Sequence, residues 1–427
     1  MPEFYNVRAM STAVESTGAP PQVPRITSID ALRGVVMFTM IFVNDIAGVS
    51  PKIVPAWMRH FKGRSGMTFV DLVFPAFLFI VGMSIPFALG GRLRTGAAWW
   101  KTILHVVGRT LSLLFIGILM VNDESPGPDM SGLSPALWAT LMFLSAILAF
   151  CSISPPLARG RARPWVGWAL RALGLGGMVA LAFMFRGDKG QRIITLSPLA
   201  IHTEWYGILG LIGWAYLVGS VVYLTFRANA VALLGCVVLL LGLYAADQTG
   251  LFNNVWLGRY VGIGGTLGAL PSITVAGLLL ASILVPAEKS SQARIVRFTL
   301  LFILGFAAAA LLFNGLYGIN KNQATPSWCL WTCAIIAALW LILHGVCDRA
   351  PAPRLAKVLA VAGQNVLLAY LLSEMLPSVL DLLHLDNGYD ALAGGSLFTA
   401  IARSAGCAVV ILCVTAALNR AGFRLKL

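Results

Sequence analysis

The sequence predicts an all-α fold, a polytopic transmembrane helical bundle, and three observations point to it. The chain is 58% hydrophobic, only 11% charged, and has a mean hydropathy of +0.82, whereas ordinary soluble domains are roughly a quarter charged. Apolar runs of about 20 residues, the length a helix needs to cross hydrocarbon, recur from end to end. The polar stretches between them are too short to hold a soluble domain of useful size, so residues 25–427 are expected to form one transmembrane domain.

The elements emerge from setting apolar runs against polar breaks. Residues 1–24 are polar and proline-bearing, without the apolar core and small-residue cleavage site of a secretory signal, and are expected to form a disordered cytoplasmic tail. A first helix at 30–49 ends in the polar pair Asn44 and Asp45. A second at 68–90 opens on Thr68 and Asp71, a T-x-x-D pattern that can cap a helix start. Further helices are expected at 102–121, 135–153, 165–185 (interrupted by glycines), 205–226 and 230–246 (short). The next, at 267–286, comes after the glycine-rich GIGGTLG of 262–268, read as a packing or hinge element rather than a phosphate loop. The last four are 297–316, 327–346, 355–380 and 397–419. The count is about twelve membrane-spanning helices, with ten or eleven as the competing numbers.

An even count puts both termini on one side, and Lys and Arg accumulate in cytoplasmic loops. Loops on the terminal side hold Arg92, Arg94 and Lys101, then Arg159, Arg161 and Arg163, then Lys289 and Arg294, then Arg349, Arg354 and Lys357. The opposite side holds Asp123, Glu124, Asp129, Asp381, Asp386 and Asp390. Both termini are therefore expected in the cytoplasm. The same bias accounts for a net charge of +14, so nucleic acid is not an expected partner. Lys52, Arg59, Lys62 and Arg64, and likewise Arg186, Lys189 and Arg192, break the rule: either the topology differs locally or these charges serve a ligand. The seven cysteines fall mostly inside apolar runs, without metal or redox spacing, and read as small core residues. No metal site is expected.

With sides assigned, Asn44, Asp45, His60, Asp71, His202, Glu204, Asn314, Asn320, Lys321 and Asn322 fall at one level, implying one outward-facing polar site. Capping alone would account for Asp71, and His60 taken alone would read as a polar loop residue. Together they suit chemistry, because a carboxylate beside an imidazole orients the ring and raises its basicity. Polar groups at bilayer depth cost at least about 2.5 kcal/mol each on insertion scales, which adds Arg33, Gln364, Asn365, Ser373 and Glu374 as candidates. Arg33 can instead pair with Asp30 three residues earlier.

SIDALRGVVMFTMIFVND, then His60, then GMTFVDLVFPAFLFIVGMSI, resembles the membrane domain of the heparan-α-glucosaminide N-acetyltransferase family and its bacterial NagX-like, DUF5009 relatives. GRTLSLLFIGILMVN, GTLGALPSI, GINKNQATPSW, and Asn365 with Tyr370 and Glu374 agree, and the likeness spans about residues 25–420. The resemblance implies acetyl transfer across a membrane, from cytosolic acetyl-CoA to a glucosamine amine at the far face. By match to the family motif His60 is the active-site histidine, supported by Asp71. Asn44, Asp45, Asn320, Asn322, Asn365 and Glu374 are the candidates for the acceptor. Arg33, Arg92, Arg94 and Lys101 are the candidates for the anionic head of CoA.

The histidine stands six residues before Gly66 with an inserted basic segment, and the large luminal domain of the lysosomal enzyme is not in the sequence. The expected acceptor is therefore a free amino sugar or a cell-wall fragment. The expected home is the bilayer of a bacterial inner membrane, with a homodimer left open. The rival function is a secondary transporter for an amino sugar; that class predicts an internal repeat, and none is convincing between 25–226 and 230–420.

Overall fold

A computed structural model describes residues 26–96, 98–127, 130–153, 164–197, 199–203, 205–284, 291–348 and 354–427. The expected tail at 1–24, and Asp129, Arg159, Arg161, Arg163, Glu204, Lys289 and Arg349, lie outside the described residues. The helices are α1 (Thr27–Ala47), α2 (Val73–Arg94, led in by the 3-10 turn Phe69–Leu72), α3 (Trp99–Asn122), α4 (Pro135–Ala149) and α5 (Pro164–Met184). They continue as α6 (Gly207–Phe226), α7 (Ala230–Gln248), α8 (Leu270–Ser282, led in by the π-helical turn Ile263–Ala269), α9 (Gln292–Tyr317) and α10 (Pro326–Cys347). The chain closes with α11 (Arg354–Ala362), α12 (Val366–Leu382), α13 (Asp386–Ala391) and α14 (Leu397–Arg420).

Every predicted segment holds helix, and among the described residues nine helices are long and apolar enough to cross a membrane. Two boundaries differ from expectation. The segment 135–153 stops being helical at Ala149, and its end becomes a strand, β1 (Cys151–Ile153). Two strands, β2 (Ile194–Leu196) and β3 (Leu199–Ile201), form a hairpin, and β1 pairs antiparallel with β4 (Phe423–Leu425). The segment 355–380 is not one helix but α11 and α12, separated at Gly363, Gln364 and Asn365. Backbone can unwind at membrane depth only where other groups take up its hydrogen bonds or it lines a cavity. Here Gly363, Gln364 and Asn365 line a cavity and Arg33 donates to the Gly363 carbonyl at 3.3 Å, while the Asn365 side chain ties the break to the β4 backbone, accepting from Leu425 N and donating to Phe423 O. The Gln364 side chain accepts from Asn419 at 2.9 Å.

The core is built on α8, in which every residue is buried. Apolar side chains gain nothing by leaving lipid for protein, so close backbone approach and van der Waals packing hold such helices together. α2 and α8 show this directly. A Cβ on Gly277 would stand 2.1 Å from the Phe79 carbonyl oxygen, and one on Gly82 would stand 1.8 Å from that of Thr274. α2 is thus clamped between the α8 core and the α1 side of the bundle. The groups at its start and along its flank are held at fixed heights as a result.

Candidate functional site

At the start of α2, Thr68 and Asp71 behave as the T-x-x-D pattern implies, because Asp71 Oδ2 reaches back to accept the Thr68 N–H at 3.0 Å. The same oxygen also accepts from the Phe61 N–H at 3.1 Å and from Thr68 Oγ1 at 3.3 Å. Its partner Oδ1 lies 2.8 Å from His60 Nδ1. The carboxylate side chain is 2% exposed, while the imidazole is 52% exposed. A carboxylate can only accept, so the proton between them belongs to Nδ1, and the Nε2 lone pair points away from the pair. Capping and orientation of the histidine are one arrangement of one residue.

Lys321 joins this pair, its Nζ 3.2 Å from His60 Nδ1. It sits in the turn between α9 and α10, docked on the His60 loop by Gly66 N–H to the Ile319 carbonyl (2.9 Å) and Ile319 N–H to Ser65 Oγ (3.0 Å). Burial pushes the Lys321 ammonium below the usual lysine range, against the opposing pull of Asp71. Asn320 shapes the turn itself, its Oδ1 accepting from the Gln323 N–H at 3.1 Å. Asn322 is exposed.

A second group lies at the same end of α1. Asn44 donates to Glu374 Oε1 at 2.7 Å. Asp45 is fully engaged, by Tyr389 OH at 2.5 Å, Ser404 Oγ at 2.5 Å and Arg403 at 3.2 Å. Arg403 also reaches Asp390 at 3.1 Å. A cavity of about 300 Å³ opens here, lined by Asn44, Asp45, Glu374, Tyr389, Asp390 and Arg403 among others. Asp123, just past α3, stands close enough to Glu374 to share its field. Burial, with Glu374 and Glu124, raises its carboxyl to about 7. The single outward site expected from sequence is therefore two neighbourhoods: His60 with Asp71 and Lys321, and Asn44 with Glu374 and the Asp45–Arg403 network. His202 belongs to neither of them; its Nε2 pairs with Thr195 Oγ1 at 2.9 Å beside the β2–β3 hairpin.

The largest change concerns Asn365. Placed with the acceptor candidates by sequence, it lines a different cavity, of about 610 Å³, with Arg33, Arg92, Arg109 and Lys426. The break before α12 explains this, because it leaves Asn365 at the start of that helix and Glu374 more than two turns further along. Arg33 makes the expected pair with Asp30 at 2.7 Å and also donates to Ser84 at 2.8 Å. Arg94 and Lys101 are exposed and do not line the cavity. The α2 residues that do line it are Phe77, Ile80, Val81, Ser84, Ile85, Ala88 and Arg92, a single stripe of the helix. From Arg92 to Phe77 the stripe is about 22 Å long, and Phe77 is roughly 9 Å of helix rise from Asp71. One helix thus carries a basic cavity along its length and the His60–Asp71 pair at its far end.

The sequence placed Lys321 at the level of the outward polar site without giving it a role, and it did not point to Tyr389, Arg403 or Arg109. Arg403 had a signal, an arginine well inside a predicted span. Of the charges that break the charge rule, Arg186 has a local account: it donates to the Phe183 and Phe185 carbonyls at the end of α5.

Residues 25–259 match the family described as "Domain of unknown function (DUF5009)". Over 101 residues the chain is 34% identical to the heparan-alpha-glucosaminide N-acetyltransferase of Homo sapiens, a match covering 24% of this chain and 14% of that protein. The Mus musculus protein of the same name is 34% identical over 100 residues, covering 23% of this chain and 14% of the relative. The chain thus matches 14% of the length of each of these curated relatives.

Proposed function

The chain belongs to the DUF5009 family, and from that premise we propose that it is a transmembrane N-acetyltransferase of a single domain spanning residues 25–427. It moves the acetyl group of cytoplasmic acetyl-CoA to the amine of a glucosamine-type sugar at the outer, periplasmic face of a bacterial inner membrane, with both termini in the cytoplasm. The observation that carries this reading is the α2 stripe. A cavity with Arg33, Arg92, Arg109 and Lys426 on its walls suits an anionic head group, and its length suits an extended arm running toward His60.

Asp71 holds the ring as the Nδ1–H tautomer, which frees the Nε2 lone pair. Two routes draw on that lone pair: it takes the acetyl group itself, or it takes the proton of the attacking amine. The acidic cavity of Asn44 and Glu374 is the acceptor side, where carboxylates favour a sugar bearing an ammonium group.

The test is release of free CoA from acetyl-CoA by the purified protein across a panel of amines, glucosamine included. His60→Ala is expected to abolish release while the protein stays folded, since a half-exposed loop side chain contributes little to packing. Wild-type turnover in His60→Ala would remove the imidazole from the mechanism. Uptake of labelled sugar into vesicles without CoA release would replace the enzyme with a transporter.

A further inference from the structure

We propose that Lys321 is a second catalytic residue, whose ammonium donates a hydrogen bond to the acyl carbonyl oxygen as negative charge develops there. The inference rests on the acetyltransferase reading and adds a group that reading does not use.

The geometry begins at one atom. His60 Nδ1 lies 2.8 Å from Asp71 Oδ1 and 3.2 Å from Lys321 Nζ. A single ring nitrogen cannot satisfy both, because once its N–H is given to Asp71 it has no lone pair left for the ammonium. Lys321 is then held beside the imidazole by the Asp71 charge, with donors uncommitted among the described residues. The two loops that carry His60 and Lys321 are tied to each other through Ser65, Gly66 and Ile319, so their spacing is set before any ligand arrives. A partly desolvated cation with free donors, held against the Nδ1 side of the ring whose Nε2 reacts, is able to turn toward an oxyanion formed at that ring. Asp71 cannot fill this role, since its oxygens only accept and are already occupied by four donors.

In the acyl-transfer step the attacking nitrogen, either His60 Nε2 or the sugar amine, places its lone pair on the thioester carbonyl carbon. The C=O π pair moves to oxygen, where Lys321 hydrogen-bonds it. When that pair returns, the C–S bond breaks and CoA leaves as a thiolate. Where the amine attacks directly, its proton passes to His60 Nε2; where His60 takes the acetyl group, the amine then adds to that carbonyl, the C–Nε2 bond breaks as the pair returns from oxygen, and the amine proton passes to the released imidazole or to the thiolate. Lys321 keeps its own proton throughout.

The charges facing Lys321 are Asp71 from the turn before α2 and His60 from the preceding loop, which also carries Arg59, Lys62 and Arg64. Asn320, Asn322 and Gln323 flank it without charge. Because burial lowers its proton affinity, activity is expected to fall on the basic side at a pH below that of an ordinary lysine.

The experiment uses the full-length protein in detergent with S-acetonyl-CoA, an unreactive ketone analogue of acetyl-CoA, labelled with ¹³C at the ketone carbon. In the wild type, binding is expected to move the ketone resonance downfield. Lys321→Met is expected to bind the analogue without that displacement, and to lower kcat by about 100-fold or more with KM little changed. Lys321→Arg is expected to recover part of kcat and to remove the basic limb, since arginine does not titrate there. A retained downfield resonance in Lys321→Met, or a kcat within a few-fold of wild type, overturns the proposal. If Lys321→Met does not fold, an unmoved basic limb in Lys321→Arg overturns it instead. Failure of the wild type to bind the analogue or release CoA would overturn the acetyltransferase reading and this inference together, an outcome distinct from normal turnover in both variants.

Discussion

Asp71 is the residue on which capping and chemistry meet, and the two contributions can be separated by changing one oxygen. In Asp71→Asn the side-chain oxygen can still accept the Phe61 and Thr68 N–H groups, but the amide must then present its NH₂ to His60. An imidazole that accepts at Nδ1 carries its proton on Nε2, so the lone pair that the reaction needs is gone. Transfer is expected to fall by about 10²–10⁴-fold. Stability is expected to fall by only about 1 kcal/mol, the value of a charged group at a helix start. Rates and thermal unfolding measured on the same preparation decide the matter; an unchanged rate with lowered stability would leave Asp71 a helix cap only. The pair was legible in the sequence because both its parts are local: a cap is a short pattern of neighbouring residues, and His60 stands 11 residues away. Lys321 was in view only as a neighbour of Asn320 and Asn322, with nothing local to separate it from them.

Among the elements, α2 has the most to hold in place. Its register against α8 sets both the lining of the basic cavity and the height of Asp71, and that register depends on two glycines. Gly277→Ala would bring a methyl group to 2.1 Å from the Phe79 carbonyl, so the helices must separate. The expected cost is about 1–3 kcal/mol, as for other overpacked contacts, seen as a lower melting temperature in detergent. Transfer should fall as well, because α2 carries the site; a melting temperature equal to wild type would show that the contact is soft. Apolar periodicity placed these helices well but could not locate the break at Gly363–Asn365. That run is apolar on either side of the break, and the partners that make it tolerable, Phe423, Leu425 and Asn419, lie 55 to 60 residues away.

At the scale of the whole molecule, transfer across a membrane needs a path joining two ends of the bundle. Arg92 stands at the far end of the α2 stripe from Asp71 and is exposed, so changing it disturbs little packing. Arg92→Glu is expected to raise KM for acetyl-CoA by about tenfold or more, with kcat nearly unchanged, since the charge acts on binding and not on the reacting atoms. An unchanged KM would detach this cavity from the acyl donor. The sequence by itself determined that the chain is a helical membrane bundle, where most of its helices begin and end, and that His60 and Asp71 form a unit. Run length, caps and short spacings are properties of neighbouring residues and need no partner to be read. Only the tertiary structure decided that Lys321 meets His60 across 261 positions, that Arg403 binds Asp45 across 358, and that Asn365 and Glu374 serve different cavities. Those meetings come from helix packing, and packing depends on which faces and glycines oppose one another, information that no single stretch of the chain contains.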